Sequence, residues 1–368
     1  MMRKMFLAAL VMVGFISSYA QTDSTKQAAP APTSPAPAIT GSVDFYYRYN
    51  FNDPKSGGTN NYTSFTNSQN SFELGMASIR ADHSFGKASA TIDLGFGRRA
   101  EEFSYNDGEL GANKNGFLTL ASVKQAYLSY AISDKFKLTA GKWATHIGYE
   151  VLDAYLNRNY SMDYMFSYGP FSHTGIKADI GLGKKSALML GVANTSDQVS
   201  TTASRKYAIA QFSTGSSNDK VKAYINYQGS YGGSFSVTQF DLVLTAAITS
   251  KFSIGYNGTV QWGPDSLSNT NSWWGSAVYL NVDPTSAFGI TLRAEYFDNK
   301  KAIVGAGTPI YGASVFDVTL SPNFKVGNLT IIPELRLDAG NTEIFAKSDG
   351  VTGTKTTITG ILAATYHF

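Results

Sequence analysis

Hydrophobic and polar residues alternate with a period of two along much of this chain. In the segment 43–51, aromatic and aliphatic side chains occupy the odd positions, and Asp44 and Arg48 fall between them. A β-strand points successive side chains to opposite faces, so this pattern predicts a strand with one apolar and one polar face. The same alternation recurs in the segments 176–182, 239–248, 288–296 and 331–338. Repeated segments of this kind, about ten residues long, are typical of transmembrane β-barrels.

The lengths of the connections separate two fold classes, because a soluble β-sandwich would show the same alternation. Short turn sequences lie at 85–87, 133–135, 183–185, 217–219, 250–251, 283–285 and 324–328. Longer stretches rich in Gly, Asn and Ser lie at 52–69, 98–116, 144–169, 298–313 and 340–355. Short turns on one rim and long loops on the other favour an outer-membrane barrel.

These segments predict an all-β fold: a transmembrane, antiparallel, up-and-down β-barrel of about sixteen strands, with about fourteen or eighteen as alternatives. We expect short periplasmic turns, long extracellular loops and both termini on the periplasmic side. In the strand near 71, Phe72, Leu74 and Met76 share one face while Ile79 falls on the other, so this strand needs a bulge or an early end. The strands are predicted to begin near residues 42, 71, 88, 118, 135, 171, 186, 205, 220, 236, 251, 273, 286, 314, 329 and 357.

The last strand ends on an aromatic residue and has apolar side chains at alternate positions before it. This pattern resembles the C-terminal signal by which the barrel-assembly machinery recognises outer-membrane barrels. We expect Leu362, Tyr366 and Phe368 to form that signal, with the two aromatic rings facing lipid at interface depth. The strand is also expected to close the barrel by pairing with the segment 42–51.

The beginning of the chain predicts an export signal. Arg3 and Lys4 precede a short apolar run, and Ser18 and Ala20 supply small residues before an expected cleavage site. The run is too short for a membrane-spanning helix. The predicted domains are therefore a signal peptide at 1–20, a Pro- and Ala-rich disordered periplasmic linker at 21–39, and the barrel at 40–368.

Composition excludes two kinds of site. The chain contains no cysteine, so it has neither a disulfide framework nor a thiolate metal site. Without Arg3 and Lys4, 28 of the 30 Lys and Arg residues remain against 27 Asp and Glu residues. A nearly neutral mature chain gives no reason to expect a nucleic-acid partner.

The middle of the chain carries the most distinctive motifs. They lie at 124–130 (KQAYLSY), 138–150 (LTAGKWATHIGYE), 159–161 (NYS) and 168–175 (YGPFSHTG). With the opening and closing strands, they resemble the putative β-barrel porin family of Bacteroidota outer membranes. The resemblance covers essentially all of 40–368 and implies a porin-like barrel in a Gram-negative outer membrane. It brings no catalytic or ligand-binding residues with it.

We therefore expect an outer-membrane porin through which small hydrophilic solutes or ions diffuse passively. A non-conducting structural or surface-interaction barrel and a barrel hydrolase are the alternatives. His146 and His173 lie near the outer rim, but Ser172 would point away from His173 on a strand, so no catalytic residue is assigned. His146, Glu150 and Asp153 have helical spacing without a second nearby histidine, so we expect a polar network rather than a metal site. No cofactor is expected.

The third long loop, near 144–170, is expected to narrow the lumen, because the loop in this position folds inward in many general porins. A cap lying over the barrel mouth is the alternative. The residues expected to line or brace the constriction are Thr145, His146, Tyr149, Glu150, Asp153, Arg158, Asp163 and Tyr164.

Charged residues on the strands must avoid lipid, so they are predicted to face the lumen. This set comprises Asp44, Arg48, Asp93, Lys177, Asp179, Lys222, Asp241, Arg293, Glu295, Asp317, Glu334, Arg336 and Asp338. Acids outnumber bases, which predicts a weak preference for cations. The other expected partners are outer-membrane lipid and, as in many general porins of this strand number, two further copies of the chain in a homotrimer.

Overall fold

Antiparallel β-strands account for most of the chain. The structure, a computed structural model, describes residues 35–55, 58–105, 120–201, 205–230, 236–264, 270–301, 310 and 312–368. The predicted signal peptide and the part of the predicted linker up to residue 34 lie outside the described residues. The first strand begins at Ala38, two residues before the predicted start of the barrel.

Sixteen strands of the described residues close into one barrel, and two short strands form a separate hairpin. The strands are β1 (Ala38–Asn50), β2 (Ser71–Phe85), β3 (Ala88–Phe96), β4 (Val123–Ser133), β5 (Phe136–Ala144), β6 (Ser172–Gly181), β7 (Ala187–Ala193), β8 (Tyr207–Gly215), β9 (Val221–Gly229), β10 (Thr238–Ala247), β11 (Phe252–Pro264), β12 (Thr270–Thr285), β13 (Phe288–Asp298), β14 (Ser314–Val326), β15 (Leu329–Gly340), the hairpin strands β16 (Phe345–Ala346) and β17 (Gly353–Thr354), and β18 (Thr356–His367). Each barrel strand pairs with the next along the chain. The predicted up-and-down barrel of about sixteen strands is confirmed.

Helices are short and lie in the connections. Those in the described residues are α1 (Arg98–Phe103), α2 (Tyr164–Tyr168) and 3-10 turns at Leu120–Ser122 and Ala154–Leu156. Among the described residues, no helix has the length and apolar character needed to cross a membrane.

The barrel closes between its first and last strands. β1 pairs with β18 from Ser42 opposite His367 to Asn50 opposite Thr359, as predicted. Beyond the strand, the Phe368 N–H donates to the Gly41 carbonyl at 3.0 Å. The rings of Tyr366 and Phe368 are exposed on the outer face, where lipid would surround them.

A bulge in β2 explains the break in its hydrophobic pattern. Asp44 pairs with Met76 and the next residue of β1 pairs with Leu74, so Gly75 is extra in the ladder. Phe72 and Leu74 point outward, whereas the Met76 side chain is fully buried. The prediction that Met76 shares their face was therefore wrong, although the predicted bulge is present. A Cβ on Gly75 would lie 1.8 Å from Asp44 Oδ1, so only glycine fits.

Connection lengths differ at the two rims as predicted. Short turns join β2 to β3, β4 to β5, β12 to β13 and β14 to β15. At the other rim, long connections join β1 to β2, β3 to β4, β5 to β6, β13 to β14 and β15 to β18. Two turns come later than predicted, because β12 continues through Thr285 and β14 through Val326. Both termini of the barrel lie at the short-turn rim.

Burial is inverted relative to a soluble protein. Along β14, Phe316 and Leu320 are exposed on the outer face, whereas Asp317 and Thr319 are fully buried on the inner face. This arrangement is typical of a barrel in lipid, which places apolar side chains outside and polar ones inside. The complete burial of inner-face side chains shows that part of the interior is filled.

Candidate functional site

The connection after β5 fills much of the interior. Residues 145–171, which we name the inner loop, leave β5 at the long-connection rim. Within the loop, the Tyr155 ring stacks on the His367 ring at a centroid distance of 4.8 Å, and Arg158 binds Asp283 at 3.0 Å. His367 and Asp283 lie near the short-turn rim. The inner loop therefore passes down through the barrel instead of lying as a cap over its mouth.

The inner loop has local structure of its own. The Asp163 carboxylate accepts a hydrogen bond from the Phe166 N–H at 2.6 Å and so caps α2, as acidic residues commonly do at a helix start. The Asn157 side chain donates to the Val151 carbonyl at 2.6 Å and accepts from the Val151 N–H at 3.1 Å. These two bonds close the turn between residues 151 and 157. Short-range hydrogen bonds thus give shape to a segment without strand partners.

Carboxylates on the barrel wall bind the backbone of the inner loop. Glu295 accepts the N–H groups of Tyr164–Met165 at 2.8 and 2.9 Å. Glu334 accepts those of Tyr160–Ser161 at 2.7 and 3.0 Å. Asp241 accepts a hydrogen bond from the N–H of Gly148, nearer the start of the loop, at 3.2 Å. A buried N–H without a partner costs about 1–3 kcal/mol, so these wall carboxylates hold the loop against the wall.

Two buried arginines extend this network. Arg293 binds Glu150 of the inner loop at 2.7 Å and Asp317 at 3.2 Å. Arg336 binds Asp317 at 2.6 Å and Asp338 at 2.8 Å. Burial and the neighbouring Asp163 carboxylate raise the pKa of Glu150, and the nearby Arg293 opposes that shift. Removing one member of such a buried ion pair lowers stability by roughly 3–5 kcal/mol. Because both arginines bind Asp317, the ion pairs that hold the loop form one connected network.

Apolar packing fills the long-connection half of the interior. On one side of the loop, Met165 and Tyr168 pack against Trp273 and Phe297 of the wall. On the other side, loop side chains pack against β2 and the first two long connections, in a cluster of Phe65, Met76, Ala100, Phe103, Leu152, Met162, Phe166 and Phe171. The sequence did not predict this internal core. A signal was present at Trp273-Trp274, because adjacent strand residues point to opposite faces, and only Trp274 is exposed.

The first residues predicted for the constriction hold the start of the inner loop to the wall. Thr145 Oγ1 lies 3.2 Å from His173 Nε2. His146 Nε2 lies 3.1 Å from the Tyr227 carbonyl, and burial lowers the pKa of His146 to about 4. The Tyr149 ring stacks on Tyr279 at a centroid distance of 4.1 Å.

The later predicted residues also contact the wall. Asp153 binds Lys124 at 2.6 Å, and Arg158 binds Asp283. The Tyr164 hydroxyl donates to Asp338 at 2.8 Å. Glu150 and Asp163 both contact the hydroxyl of Tyr279, at 3.3 and 2.7 Å. The structure thus brings the predicted loop residues to the wall around the barrel, where they anchor the loop.

The predicted lumen charges fall into two groups. Lys177 and Asp179 are partly exposed and Lys222 is exposed. The others are buried beneath the inner loop or beside it: Asp44, Arg48, Asp93, Asp241, Arg293, Glu295, Asp317, Glu334, Arg336 and Asp338. The predicted cation preference assumed that all of these carboxylates face an aqueous lumen. Most of them are buried, so that assumption does not hold.

Open space remains around the deep part of the inner loop. Within the described part of the chain, cavities of about 200, 240 and 310 Å³ border it, and Val151 lines each of them. The largest lies between the start of the loop and the wall of β8–β10, where Gln211, Tyr224 and Thr245 line it. Seven inward side chains of β5–β10 are left uncovered by the loop, and we name this set the open wall: Lys137, Lys177, Asp179, Gln211, Lys222, Tyr224 and Thr245.

Of the candidate catalytic and metal-binding groups, His146 and Glu150 line the largest of these cavities, whereas Asp153, Ser172 and His173 do not. Ser172 and His173 are both buried at the start of β6. His173 contacts Thr145, and its ring lies 5.0 Å from that of His146. Within the described part of the chain, no group of three or more His, Asp or Glu side chains is arranged to hold a metal ion.

Comparison with known proteins connects this geometry to a family. The family model described as "Putative beta-barrel porin-2, OmpL-like" matches residues 38–368. No curated protein sequence gives a match.

Solved structures of outer-membrane proteins have a similar fold. The anion-selective porin from Comamonas acidovorans has a TM-score of 0.59 and 10% identity, covering 90% of this chain and 99% of that one. The outer membrane channel DcaP of Acinetobacter baumannii has a TM-score of 0.58 and 12% identity, covering 90% and 97%. OmpT of Vibrio cholerae, folded in vitro and described as a trimer form, has a TM-score of 0.56 and 11% identity, covering 91% and 100%. At these identities, the likeness concerns the fold.

Proposed function

The chain belongs to the putative β-barrel porin-2, OmpL-like family, and on this premise we propose that it admits small hydrophilic solutes or ions by passive diffusion, with the inner loop narrowing the passage. Its family and its closed sixteen-strand fold are those of an outer-membrane porin. The observation that carries the proposal is the course of the inner loop through the barrel, which leaves the open wall facing the remaining space.

The proposed route follows the open wall. Uncharged polar side chains, including Gln211 and Thr245, border the largest cavity and suit hydrated solutes. Toward the long-connection rim, inward side chains such as His173, Tyr207 and Gln239 are buried. We therefore propose a narrow passage with low conductance, limited by these buried side chains and by the inner loop.

Shortening the loop tests this proposal. Asn157 bonds both backbone groups of Val151, so two glycines can replace residues 152–156 without separating the ends of that turn. The expected result is a higher single-channel conductance in planar bilayers, because this segment borders the open space. Replacing 348–351, between the hairpin strands β16 and β17, with two glycines is the matched control and should leave conductance unchanged.

The alternatives give different results. A non-conducting structural barrel would show no current before or after the loop is shortened, although heat-modifiable gel mobility would show a folded barrel. We propose that the protein is not an enzyme, because Ser172 and His173 are buried and away from the open wall. Hydrolysis of ester or peptide substrates by the intact protein, lost on His173→Gln, would contradict this.

We also propose export, assembly and oligomerisation in line with the sequence. Residues 1–20 would be removed as a signal peptide, 21–39 would form the periplasmic linker, and Leu362, Tyr366 and Phe368 would be recognised by the barrel-assembly machinery. A homotrimer is proposed because one similar structure is described as a trimer form. Light scattering of the detergent-solubilised protein measures its oligomeric state, and a monomeric mass would contradict the trimer.

A further inference from the structure

On β5–β10, the charged inward side chains that the inner loop leaves exposed or partly exposed are mostly positive. Lys137 of β5 is 51% exposed and Lys177 of β6 is 21% exposed. Lys222 of β9 is also exposed. It lies opposite Thr245 in the strand pairing, and Thr245 lines the largest cavity. These three lysines therefore face the interior from the short-turn half of the open wall.

The acids in this region are outnumbered by the bases around them. Asp179 lies between two lysines, 3.6 Å from Lys137 and 4.0 Å from Lys177. Asp283 likewise lies between Arg158, at 3.0 Å, and Lys325, at 3.4 Å. Each of these groups of three side chains keeps a formal positive charge. The partly exposed pair of Arg80 and Asp82, at 2.6 Å, is neutral overall.

The carboxylates on the rest of the inner wall are covered. Glu295 and Glu334 each bind two backbone N–H groups of the inner loop, and Asp317 binds two arginines. Their oxygens are directed at protein donors and are buried. Water and solutes thus meet a different set of charges from the one that the strand sequences suggest.

From this distribution we infer that the passage prefers small anions, either inorganic ions or solutes bearing a carboxylate. The inference rests on the proposed channel function and specifies its solute class. Charged side chains along a narrow aqueous path select ions of opposite sign, and a low-dielectric wall around the path strengthens their field. Lys137, Lys177 and Lys222 supply this positive field.

The zero-current potential across a planar bilayer under a KCl gradient measures the preference directly. The wild type is expected to pass Cl⁻ more readily than K⁺. The triple variant Lys137→Gln, Lys177→Gln, Lys222→Gln should lower the permeability ratio to about one or below. Asp179→Asn should raise the ratio, because it removes the acid between Lys137 and Lys177.

A second triple variant controls for net charge. Lys55→Gln, Lys347→Gln, Lys355→Gln removes the same charge from exposed positions on long connections and should leave the ratio unchanged. A Cl⁻ to K⁺ permeability ratio of one or less in the wild type overturns the anion preference but not the channel function. An equal change of that ratio in both triple variants has the same consequence. No current from either the wild type or the loop-shortened variant overturns the channel itself and the inference with it.

Discussion

Two parts of the inner wall have the same strand pattern but different surroundings. Along β13, β14 and β15, inward side chains such as Glu295, Thr319 and Arg336 are buried against the inner loop or its neighbours; we name this region the covered wall. Along the open wall, Lys177 and Tyr224 remain partly exposed. The alternation of apolar and polar residues therefore identifies which side chains face the inside of the barrel. It does not show which of those inward side chains contact water and which are buried.

The largest expected effect is the loss of a buried charge partner from the covered wall. Arg293→Met leaves Glu150 without its 2.7 Å ion pair and should lower the free energy of unfolding by roughly 3–5 kcal/mol. Urea titration of the protein in lipid vesicles measures that change. Arg158→Met is the matched control, because its partner Asp283 is about one-third exposed and keeps a contact with Lys325. A cost of roughly 0–1 kcal/mol is expected there, and equal costs would contradict the contrast between the two sites.

Next in size is the loss of a single wall carboxylate that binds the loop backbone. Glu295→Ala leaves the N–H groups of Tyr164 and Met165 without acceptors, at a cost of about 1–3 kcal/mol. Hydrogen exchange of these amides should become about tenfold to a hundredfold faster. Asp179→Ala, on the open wall, should leave their exchange unchanged. Full protection in Glu295→Ala would show that the carboxylate is not what holds the loop.

The strand layout could be predicted because its cause is local. Phe45, Leu362 and Tyr366 sit at alternate positions on outward faces, and the period of two is visible without any partner. The exact position of the bulge in β2 could not be predicted from the sequence. The pattern break in β2 indicated a bulge, but locating it at Gly75 required the position of the Asp44 side chain on the neighbouring strand.

The covered wall could not be predicted in the same way, because its environment depends on contacts distant in sequence. Glu295 binds an N–H of Tyr164, 131 residues away, and Glu334 binds that of Tyr160, 174 residues away. Nothing in the strand sequence around Glu295 distinguishes a carboxylate bound to a loop from one that faces water. The inward course of the inner loop was expected by analogy, whereas its depth and its binding partners were not.

A titration tests whether water is excluded from the end of the inner loop that meets β6. Asp197 accepts the N–H groups of Phe171 and Ser172 at 2.6 and 2.7 Å, and burial raises its pKa from 3.8 to about 7. From about pH 4 to pH 7, the unfolded chain loses this proton while the folded chain keeps it. The contribution of Asp197 to stability should therefore fall as pH rises through this window, by at most about 1.4 kcal/mol per pH unit. Urea unfolding of Asp197→Asn should lack this component, and identical pH profiles for the two proteins would show that the site is hydrated.

The smallest expected effect on stability comes from one substitution made on both walls. Thr245 of β10 borders the largest cavity, whereas Thr319 of β14 is fully buried. Thr245→Trp should change the free energy of unfolding by only about 0.5 kcal/mol, because the ring can occupy open space, and it should lower single-channel conductance by filling the passage. Thr319→Trp overpacks a filled interior and should cost about 1–3 kcal/mol or more. Equal destabilisation by the two substitutions would mean that the wall at Thr245 is as tightly packed as the covered wall. Because the walls differ in what covers them and not in strand pattern, this pair of variants separates the two without changing a charge.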